Sequence, residues 1–269
     1  MLSCETLRSK SLKLTKRLLG SNRKEIIILS TKENSLRFTR RPANERGIAD
    51  FGWLKSNHSF SFGQYHDPNH MGYGNLRVIN DDLVEGGKGF GQHPHQNAEI
   101  FSYVLDGSLE HKDTLGNGSV VGEGGVQYMS AGSGVSHSEF NPSQTHHMQF
   151  LQVWLLPDTD NTPPRYETMD IDAAEKDGKL KLFLSRDGRE GSMSTQADAN
   201  VYAATIDGDQ EVSIPLATSR KGWVQVASGS IMVNDQSLSK GDGLAIEGEG
   251  LLTFSRGNKA EFLFFDLAP

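Results

Sequence analysis

The stretch Gly89–Gly107, GFGQHPHQNAEIFSYVLDG, joins a pair of histidines to an apolar run that ends at a turn. Side chains on a β-strand alternate between its two faces, so residues two positions apart point in the same direction. An extended backbone here would place the imidazoles of His93 and His95 on one face. The run Phe101–Leu105 has the composition of a buried strand, and Asp106-Gly107 is a typical turn signal. The stretch predicts a β-fold that presents paired imidazoles, as a metal site on a strand requires.

Short apolar runs separated by turn residues continue along the chain, which contains 29 glycines in 269 residues. Further strands are predicted at Ser108–Lys112, Val126–Met129, Met148–Leu156, Lys179–Ser185 and Val201–Ile206. No segment has a long 3.6-residue apolar period, and the only plausible helix is short, around Asp170–Lys176. The fold class is therefore predicted to be all-β.

The two halves of the chain resemble each other around a glycine turn. Val104–Ser108 reads VLDGS and Val226–Ser230 reads VASGS, and each is followed by a second glycine-centred turn and another apolar strand. A repeat of about 120 residues indicates duplication of one β-unit, and a unit with this many short strands fits a small double-sheet jelly roll. A proline-rich polar segment, Pro157–Glu167, is the best candidate for a linker. We predict an N-terminal domain over residues 36–160 and a C-terminal domain over residues 161–269.

Charge is distributed unevenly along the chain. Residues 1–41 contain eleven Lys and Arg and three Glu, a net charge of +8. The whole chain has a net charge of −7, so residues 42–269 carry −15. An acidic body argues against direct binding of nucleic acid. Residues 1–35 are rich in Ser, Lys and Leu, and we interpret them as a basic extension without fixed structure. An organelle-targeting segment is the alternative, because such segments are basic, Ser-rich and poor in acidic residues.

Composition limits the cellular setting. A hydrophobic content of 36% with 23% charged residues is typical of a soluble globular protein. The sequence has no run of 18 apolar residues, so no membrane span is expected. The only cysteine, Cys4, has no partner for an intrachain disulfide, which favours a reducing, cytoplasmic location.

A second pair of candidate ligands, His137 and Glu139, follows the turn Gly132–Gly134. These two residues are also two positions apart, so on a strand their side chains would share one face. Two neighbouring strands could then gather three imidazoles and one carboxylate around one ion. Such donors suit Fe(II) best, and Mn, Co, Ni, Cu and Zn are further candidates. All nine histidines lie between residues 58 and 147, so only the first half is equipped for metal. The unpaired ones are expected to be structural or rim residues: His58, His66, His70, His111, His146 and His147.

Five stretches carry a family resemblance. HPHQNAEIFSYVLDGSLEHKDTLGN (93–117), VQYMSAGSGVSHSEFNP (126–142) and FLQVWLLP (150–157) resemble the pirin family of the cupin superfamily. RPANERGIADFGWL (41–54) and NLRVINDD (75–82) resemble its quercetinase-type bacterial branch. The resemblance covers about residues 36–269 and is most specific in the first half.

The resemblance implies a bicupin, in which two jelly-roll barrels lie face to face and one metal is held in the N-terminal barrel. It places the metal ligands at His93, His95, His137 and Glu139, and it implies a monomer. The general cupin pattern takes its acidic ligand three or four residues after the histidine pair, and Glu99 occupies that position as the alternative.

The activity implied by the resemblance is that of a quercetin 2,3-dioxygenase, which opens a flavonol ring with O₂ and releases carbon monoxide. Glu139 would then serve as ligand and catalytic base together. Phe101, Met129 and Phe140 are near enough in sequence to line an apolar slot for the substrate, although core packing is their commoner role. The alternative is a non-catalytic, iron-binding regulatory protein that acts through a protein partner.

Overall fold

The computed structural model describes residues 35–269. The predicted basic extension, residues 1–35, and its alternative assignment as a targeting segment therefore fall outside the described residues, apart from Ser35. The described chain forms the strands β1 (Arg37–Arg41), β2 (Gly47–Asp50), β3 (Leu54–His58), β4 (Leu76–Val84), β5 (Gly89–His95), β6 (Glu99–Asp106), β7 (Ser108–Asp113), β8 (Gly118–Gly122), β9 (Gly125–Ser130), β10 (Val135–Phe140), β11 (Met148–Leu155), β12 (Arg165–Asp170), β13 (Lys181–Ser185), β14 (Met193–Ser194), β15 (Ala199–Ile206), β16 (Val212–Leu216), β17 (Lys221–Val233), β18 (Gln236–Ser239), β19 (Gly243–Glu247) and β20 (Gly250–Leu267).

The prediction of an all-β fold is confirmed. Each predicted strand is present, with ends that differ by two residues or fewer. The predicted helix is a single turn, α1 (Ala173–Lys176), and two 3-10 turns lie at Ala43–Glu45 and Arg189–Gly191. The side chain of Asp172 begins α1 by accepting a hydrogen bond of 2.9 Å from the backbone N–H of Ala174. In residues 35–269, no helix is long and apolar enough to cross a bilayer.

Two sheets build the N-terminal barrel. The larger has seven strands in the order β12-β9-β6-β11-β4-β3-β2, and the smaller has four in the order β5-β10-β7-β8. Their facing sides bury one apolar cluster: Leu54, Val84, Val104, Leu109, Val121, Met148 and Phe150. The central strands of the larger sheet, β4, β6 and β11, are buried over most of their length, because one face packs on the smaller sheet and the other on the C-terminal half. The smaller sheet carries the candidate metal ligands.

The C-terminal half is a single sheet of nine strands organised by two long ones, β17 and β20. These strands pair over most of their length, with irregularities in register at Val226, Ser228 and Ser230. Such bulges bend a strand and raise its twist, which lets one sheet fold around its own core. The core contains the inward side chains Val224, Val226, Phe254, Phe262 and Phe264.

The sheets exchange strands across the predicted domain boundary. Strand β1, at the start of the described chain, pairs with β19 of the C-terminal sheet from Arg37 opposite Glu247 to Arg41 opposite Gly243. Strand β12, which begins inside the predicted linker, pairs with β9 of the N-terminal barrel. The division at residue 160 remains a prediction, and sheet membership crosses it in both directions.

Phe101 lies at the junction between the two barrels. Its ring centroid is 5.4 Å from that of Phe183 and 6.3 Å from that of Phe265, and all three side chains are buried. One apolar cluster thus contains side chains from both halves, which places the barrels face to face. Phe101 is a core residue and does not line a substrate slot.

Candidate metal centre

Three histidines converge on one point of the smaller sheet. Strands β5 and β10 are antiparallel, with His137 opposite His93 and Val135 opposite His95. The ring centroids are 4.8 Å apart for His93 and His95, 4.5 Å for His93 and His137, and 4.9 Å for His95 and His137. One ring nitrogen of each histidine lies within 4.8 Å of the others. The structure therefore gathers the three imidazoles that the spacing predicted.

The Nε2 atoms of these histidines are free to bind a cation. The Nδ1 atom of His93 lies 2.8 Å from the carbonyl oxygen of Gly91. A carbonyl only accepts, so His93 carries its proton on Nδ1 and leaves Nε2 with a lone pair. The Nε2 atoms of His95 and His137 are buried and have no hydrogen-bond partner among the described residues. A buried nitrogen without a partner is unfavourable, and a divalent cation between the three rings would satisfy it.

Burial keeps two of these rings neutral. Desolvation is the larger cause and the neighbouring His93 the smaller one, and together they lower the pKa of His95 to about 4. Desolvation and the three surrounding histidines lower the pKa of His137 to about 2. Because a metal binds the neutral imidazole, both rings are ready to act as ligands at neutral pH.

Glu139 lies beside the histidines but is held by other partners. Its carboxylate is 2% exposed and accepts hydrogen bonds from Ser102 Oγ at 3.1 Å, from Gln152 Nε2 at 3.4 Å and from Gln127 Nε2. It lines the same cavity as His93, yet the ligand atoms that lie within 4.8 Å of one another are those of the histidines alone. Burial raises the pKa of Glu139 to about 7, as expected for a carboxyl without a neighbouring cation. Its role as the fourth ligand stays a prediction.

Glu99, the alternative acidic ligand, is engaged elsewhere. Its carboxylate is 1% exposed and accepts hydrogen bonds from Tyr128, from Ser130 Oγ at 2.7 Å, and from Thr195 Oγ1 at 2.8 Å. It also accepts from the backbone N–H of Gln196 at 3.1 Å. Because Thr195 and Gln196 belong to the C-terminal half, Glu99 ties the two barrels together and does not join the histidine cluster.

His111, which was expected to be a structural or rim residue, contacts the cluster. It is fully buried on β7, and its Nδ1 atom lies 3.3 Å from Nδ1 of His137. Its Nε2 atom lies 3.2 Å from Oδ2 of Asp113. Asp113 directly follows the predicted strand Ser108–Lys112 and lies two positions after His111. This spacing was an available signal, because an extended backbone puts both side chains on one face.

A small cavity of about 60 Å³ lies against the metal centre. It is lined by Phe62, Asn80, Asp82, Phe90, His93, His95, Glu139, Gln152 and Trp154. A larger pocket of about 560 Å³ shares four of these residues, namely Phe62, Asn80, Asp82 and Phe90. The shared wall means that the larger pocket leads toward the histidines. Neither Met129 nor Phe140 lines the cavity; its aromatic walls come from Phe90 of β5, Trp154 of β11 and Phe62 in the segment after β3.

Two buried polar atoms in the pocket have no protein partner. Oγ of Ser56 and Oδ1 of Asp82 are inaccessible and make no hydrogen bond with the described residues, and both side chains are 3% exposed. Burial raises the pKa of Asp82 to about 7. His58, which also lines the pocket, is fixed by a 2.7 Å contact between its Nδ1 and Oδ1 of Asn80. The pocket therefore combines aromatic walls with polar groups that can bond to a ligand.

Comparison with known proteins covers both halves. The Pirin family profile matches residues 39–155, and the profile described as Quercetinase C-terminal cupin domain matches residues 182–267. The chain is 45% identical over 229 residues to quercetin 2,3-dioxygenase of Escherichia coli K12, covering 85% of this chain and 98% of that protein. It is 36% identical over 232 residues to a pirin-like protein of Caulobacter vibrioides, covering 85% and 99%.

Solved structures agree with the sequence comparison. The crystal structure of YhhW from Escherichia coli superposes with a TM-score of 0.83 at 43% identity, covering 87% of this chain and 98% of that one. The bacterial pirin YhhW in complex with nickel(II) superposes with a TM-score of 0.82 at 42% identity, covering 87% and 100%. These similarities, the two facing barrels and the histidine cluster establish that the chain belongs to the pirin family of the cupin superfamily, in its quercetinase-type bacterial branch.

Proposed function

We propose that this protein is a metal-dependent dioxygenase that opens the ring of a flavonol-type substrate with O₂ and releases carbon monoxide. The observation that carries the proposal is the arrangement of three imidazoles, with Nε2 atoms free to bind a cation, beside a buried carboxyl and at the end of a pocket. The similarity to a protein named quercetin 2,3-dioxygenase supports the reaction class.

The ligands of the cation would be His93, His95, His137 and Glu139. When bound, the cation supplies Lewis-acid chemistry, which makes the 3-hydroxyl of a flavonol more acidic and activates the system toward O₂. Nitrogen and carboxylate donors accept several divalent ions. Fe(II) is our first choice, and the nickel(II) complex of the similar pirin makes Ni(II) the natural second test.

Glu139 is the proposed proton acceptor. Burial raises the pKa of Glu139 to about 7 in the metal-free protein, and a bound cation would favour its ionised form, which is the form that can accept a proton. Ser102, Gln127 and Gln152 fix the orientation of the carboxylate. The proton of the flavonol 3-hydroxyl would move to this carboxylate, which leaves an electron-rich flavonolate to react with O₂.

The pocket is the proposed binding site for the substrate. Its volume of about 560 Å³ lies in the range typical of small-molecule sites. Phe62 and Phe90 stand between the pocket and the cavity beside the histidines, where they would orient a planar aromatic ring. The polar side chains of Asn80 and Asp82, which line both the pocket and the cavity, would bond to hydroxyl groups of the substrate. A regulatory protein that only senses metal has no need of such a pocket, so its presence supports the enzyme.

The test is anaerobic reconstitution of the metal-free protein with Fe(II), Ni(II), Co(II) or Mn(II), followed by quercetin and air. We expect loss of flavonol absorbance together with carbon monoxide in the headspace. His93→Ala should abolish both signals, and His147→Ala, at an exposed position, should leave them unchanged. Absence of turnover with every one of these metals would refute the proposal.

A further inference from the structure

Behind the histidine cluster, a chain of three buried groups leads away from the metal centre. Nδ1 of His137 lies 3.3 Å from Nδ1 of His111, and Nε2 of His111 lies 3.2 Å from Oδ2 of Asp113. The side chains of His111 and Asp113 are completely buried. Strand β7 pairs with β10 so that Asp113 is opposite His137 and His111 is opposite Glu139.

The direction of each hydrogen bond follows from Asp113. Its Oδ1 accepts from the backbone N–H groups of Leu115 at 2.9 Å and Asn117 at 3.0 Å, and its Oδ2 accepts from Nδ2 of Asn117 at 2.8 Å. A carboxylate surrounded by donors in this way is an acceptor, so Nε2 of His111 must donate to it. Neutral His111 then has a lone pair on Nδ1, which can only accept a proton from Nδ1 of His137. The proton of His137 is thereby held on Nδ1, and its Nε2 keeps the lone pair that a metal needs.

We propose that Asp113, acting through His111, sets the tautomer of His137 and so prepares the third ligand of the metal centre. Both are positioning residues, because neither belongs to the group of side chains whose ligand atoms lie within 4.8 Å of one another. The inference rests on the proposed metal site and extends it to two residues outside the ligand set. Partners that orient a ligating histidine commonly contribute 10- to 100-fold to metal affinity, which is roughly the effect expected here.

The ring of His111 is held from its other side as well. Tyr166 of β12 stacks on it with ring centroids 4.1 Å apart and an interplanar angle of 15°. The hydroxyl of Tyr166 lies 3.3 Å from Oε1 of Gln127, whose Nε2 donates to Glu139. One connected network thus orients both His137 and Glu139, the two candidate ligands on β10.

The decisive measurement is made on the metal-free protein. Two-bond proton–nitrogen correlations of ¹⁵N-labelled histidine distinguish the two tautomers, and loss of one signal in His137→Gln identifies His137. We expect the Nδ1–H tautomer in the wild type. In Asp113→Asn, the backbone N–H groups keep the amide oxygen as their acceptor, so the amide NH₂ faces His111. His111 then accepts on Nε2 and carries its proton on Nδ1. It donates that proton to Nδ1 of His137, which therefore adopts the Nε2–H tautomer.

Calorimetric titration with Ni(II) gives the second readout. Asp113→Asn and His111→Phe should each bind roughly 10- to 100-fold more weakly than the wild type. His111→Phe keeps the ring stacked on Tyr166 but removes both nitrogens. His111→Gln can accept from His137 with its oxygen and donate to Asp113 with its nitrogen, so it should recover most of the affinity. Glu110→Gln, on the same strand and directed away from the chain of buried groups, is the control and should bind Ni(II) like the wild type.

Two results would overturn the inference. One is an Nε2–H tautomer of His137 in the metal-free wild type. The other is Ni(II) affinity of folded Asp113→Asn and His111→Phe within twofold of the wild type. A wild type that binds no metal would instead refute the proposed function, and the tautomer measurement would still decide the role of Asp113 and His111.

Discussion

Glu139 lies opposite Phe90 on the neighbouring strand, although a regular pairing that starts from His137 opposite His93 would place it opposite Gly91. Strand β5 thus carries one extra residue, a bulge, between Phe90 and His93. On a regular strand these two residues would face opposite sides, because they are three positions apart. The bulge turns both toward the same cavity, where an aromatic wall meets a candidate ligand histidine.

Gly89 permits this close arrangement at the start of β5. A Cβ at this position would overlap the carbonyl oxygen of Glu139 and the backbone of Phe140. A side chain here would force β5 and β10 apart just where Glu139 approaches the histidines. The glycine is therefore required by the packing of the two strands that form the metal centre.

The choice between the two candidate carboxylates can be tested with isosteric variants. Glu139→Gln should lose flavonol turnover and bind Ni(II) roughly 10- to 100-fold more weakly, because the metal loses an anionic donor. Glu99→Gln should bind Ni(II) like the wild type but unfold more easily, by about 1–3 kcal/mol, since its amide would face hydroxyl and N–H donors. Calorimetry and thermal melts measure both effects. The opposite result, with Glu99 needed for metal and Glu139 dispensable, would show that Glu99 is the ligand.

Metal binding should release a proton from Glu139. Its pKa of about 7 means that the carboxyl is mostly protonated at pH 6, whereas a neighbouring cation favours the ionised form. His95 and His137 contribute none at this pH, because their pKa values of about 4 and about 2 leave them neutral. Calorimetry in buffers of different ionisation enthalpy should show about one proton fewer released by Glu139→Gln than by the wild type at pH 6. By pH 9 this difference should vanish; a difference that is constant with pH would contradict the assignment.

Asp82 should make stability depend on pH in a defined direction. Its pKa is about 7 in the folded protein against an ordinary value of 3.8, so between these values the folded state holds a proton that the unfolded state has lost. The contribution of Asp82 to the free energy of unfolding therefore falls as pH rises from about 4 to about 7. Asparagine does not titrate, so the free energy of unfolding of Asp82→Asn should rise relative to that of the wild type across this pH window, by on the order of 4 kcal/mol.

Denaturant unfolding of the metal-free protein between pH 4 and pH 8 measures this gain. Asp209→Asn, at an exposed position, is the control and should follow the wild type at every pH. The comparison with the wild type cancels the opposite trend of His95 and His137, whose lowered pKa values favour the folded state as pH rises toward 6.5. A gap between Asp82→Asn and the wild type that does not change with pH would contradict the prediction.

Phe62 should govern binding of the substrate and not of the metal. Its ring meets that of Trp154 edge-on, with centroids 5.5 Å apart, and Trp154 in turn meets His95 at 4.9 Å. Phe62→Ala removes part of the wall between pocket and cavity, so KM for a flavonol should rise about tenfold while Ni(II) affinity stays constant. Phe51→Ala, at the exposed rim, should raise KM less. Equal effects of the two variants would show that the shared wall does not contact the substrate.

Local pattern was sufficient for much of this protein. Alternation with a period of two predicted the strands and the common face of His93 and His95, and a short helix was predicted separately around Asp170–Lys176. The same period placed His137 beside Glu139 on one strand. These features depend on neighbours two to four residues away, so the chain specifies them without reference to the rest of the fold.

Tertiary structure alone decided the remainder. The exchange of β1 and β12 between the barrels joins residues far apart in sequence, as in the pairing of Arg37 with Glu247. The engagement of Glu99 by Thr195 and the contact of His111 with His137 likewise arise only when separate strands pack. The bulge in β5 is likewise defined by its pairing with β10. Such contacts are set by which sheets bury each other's apolar faces, and a one-dimensional pattern does not contain that information.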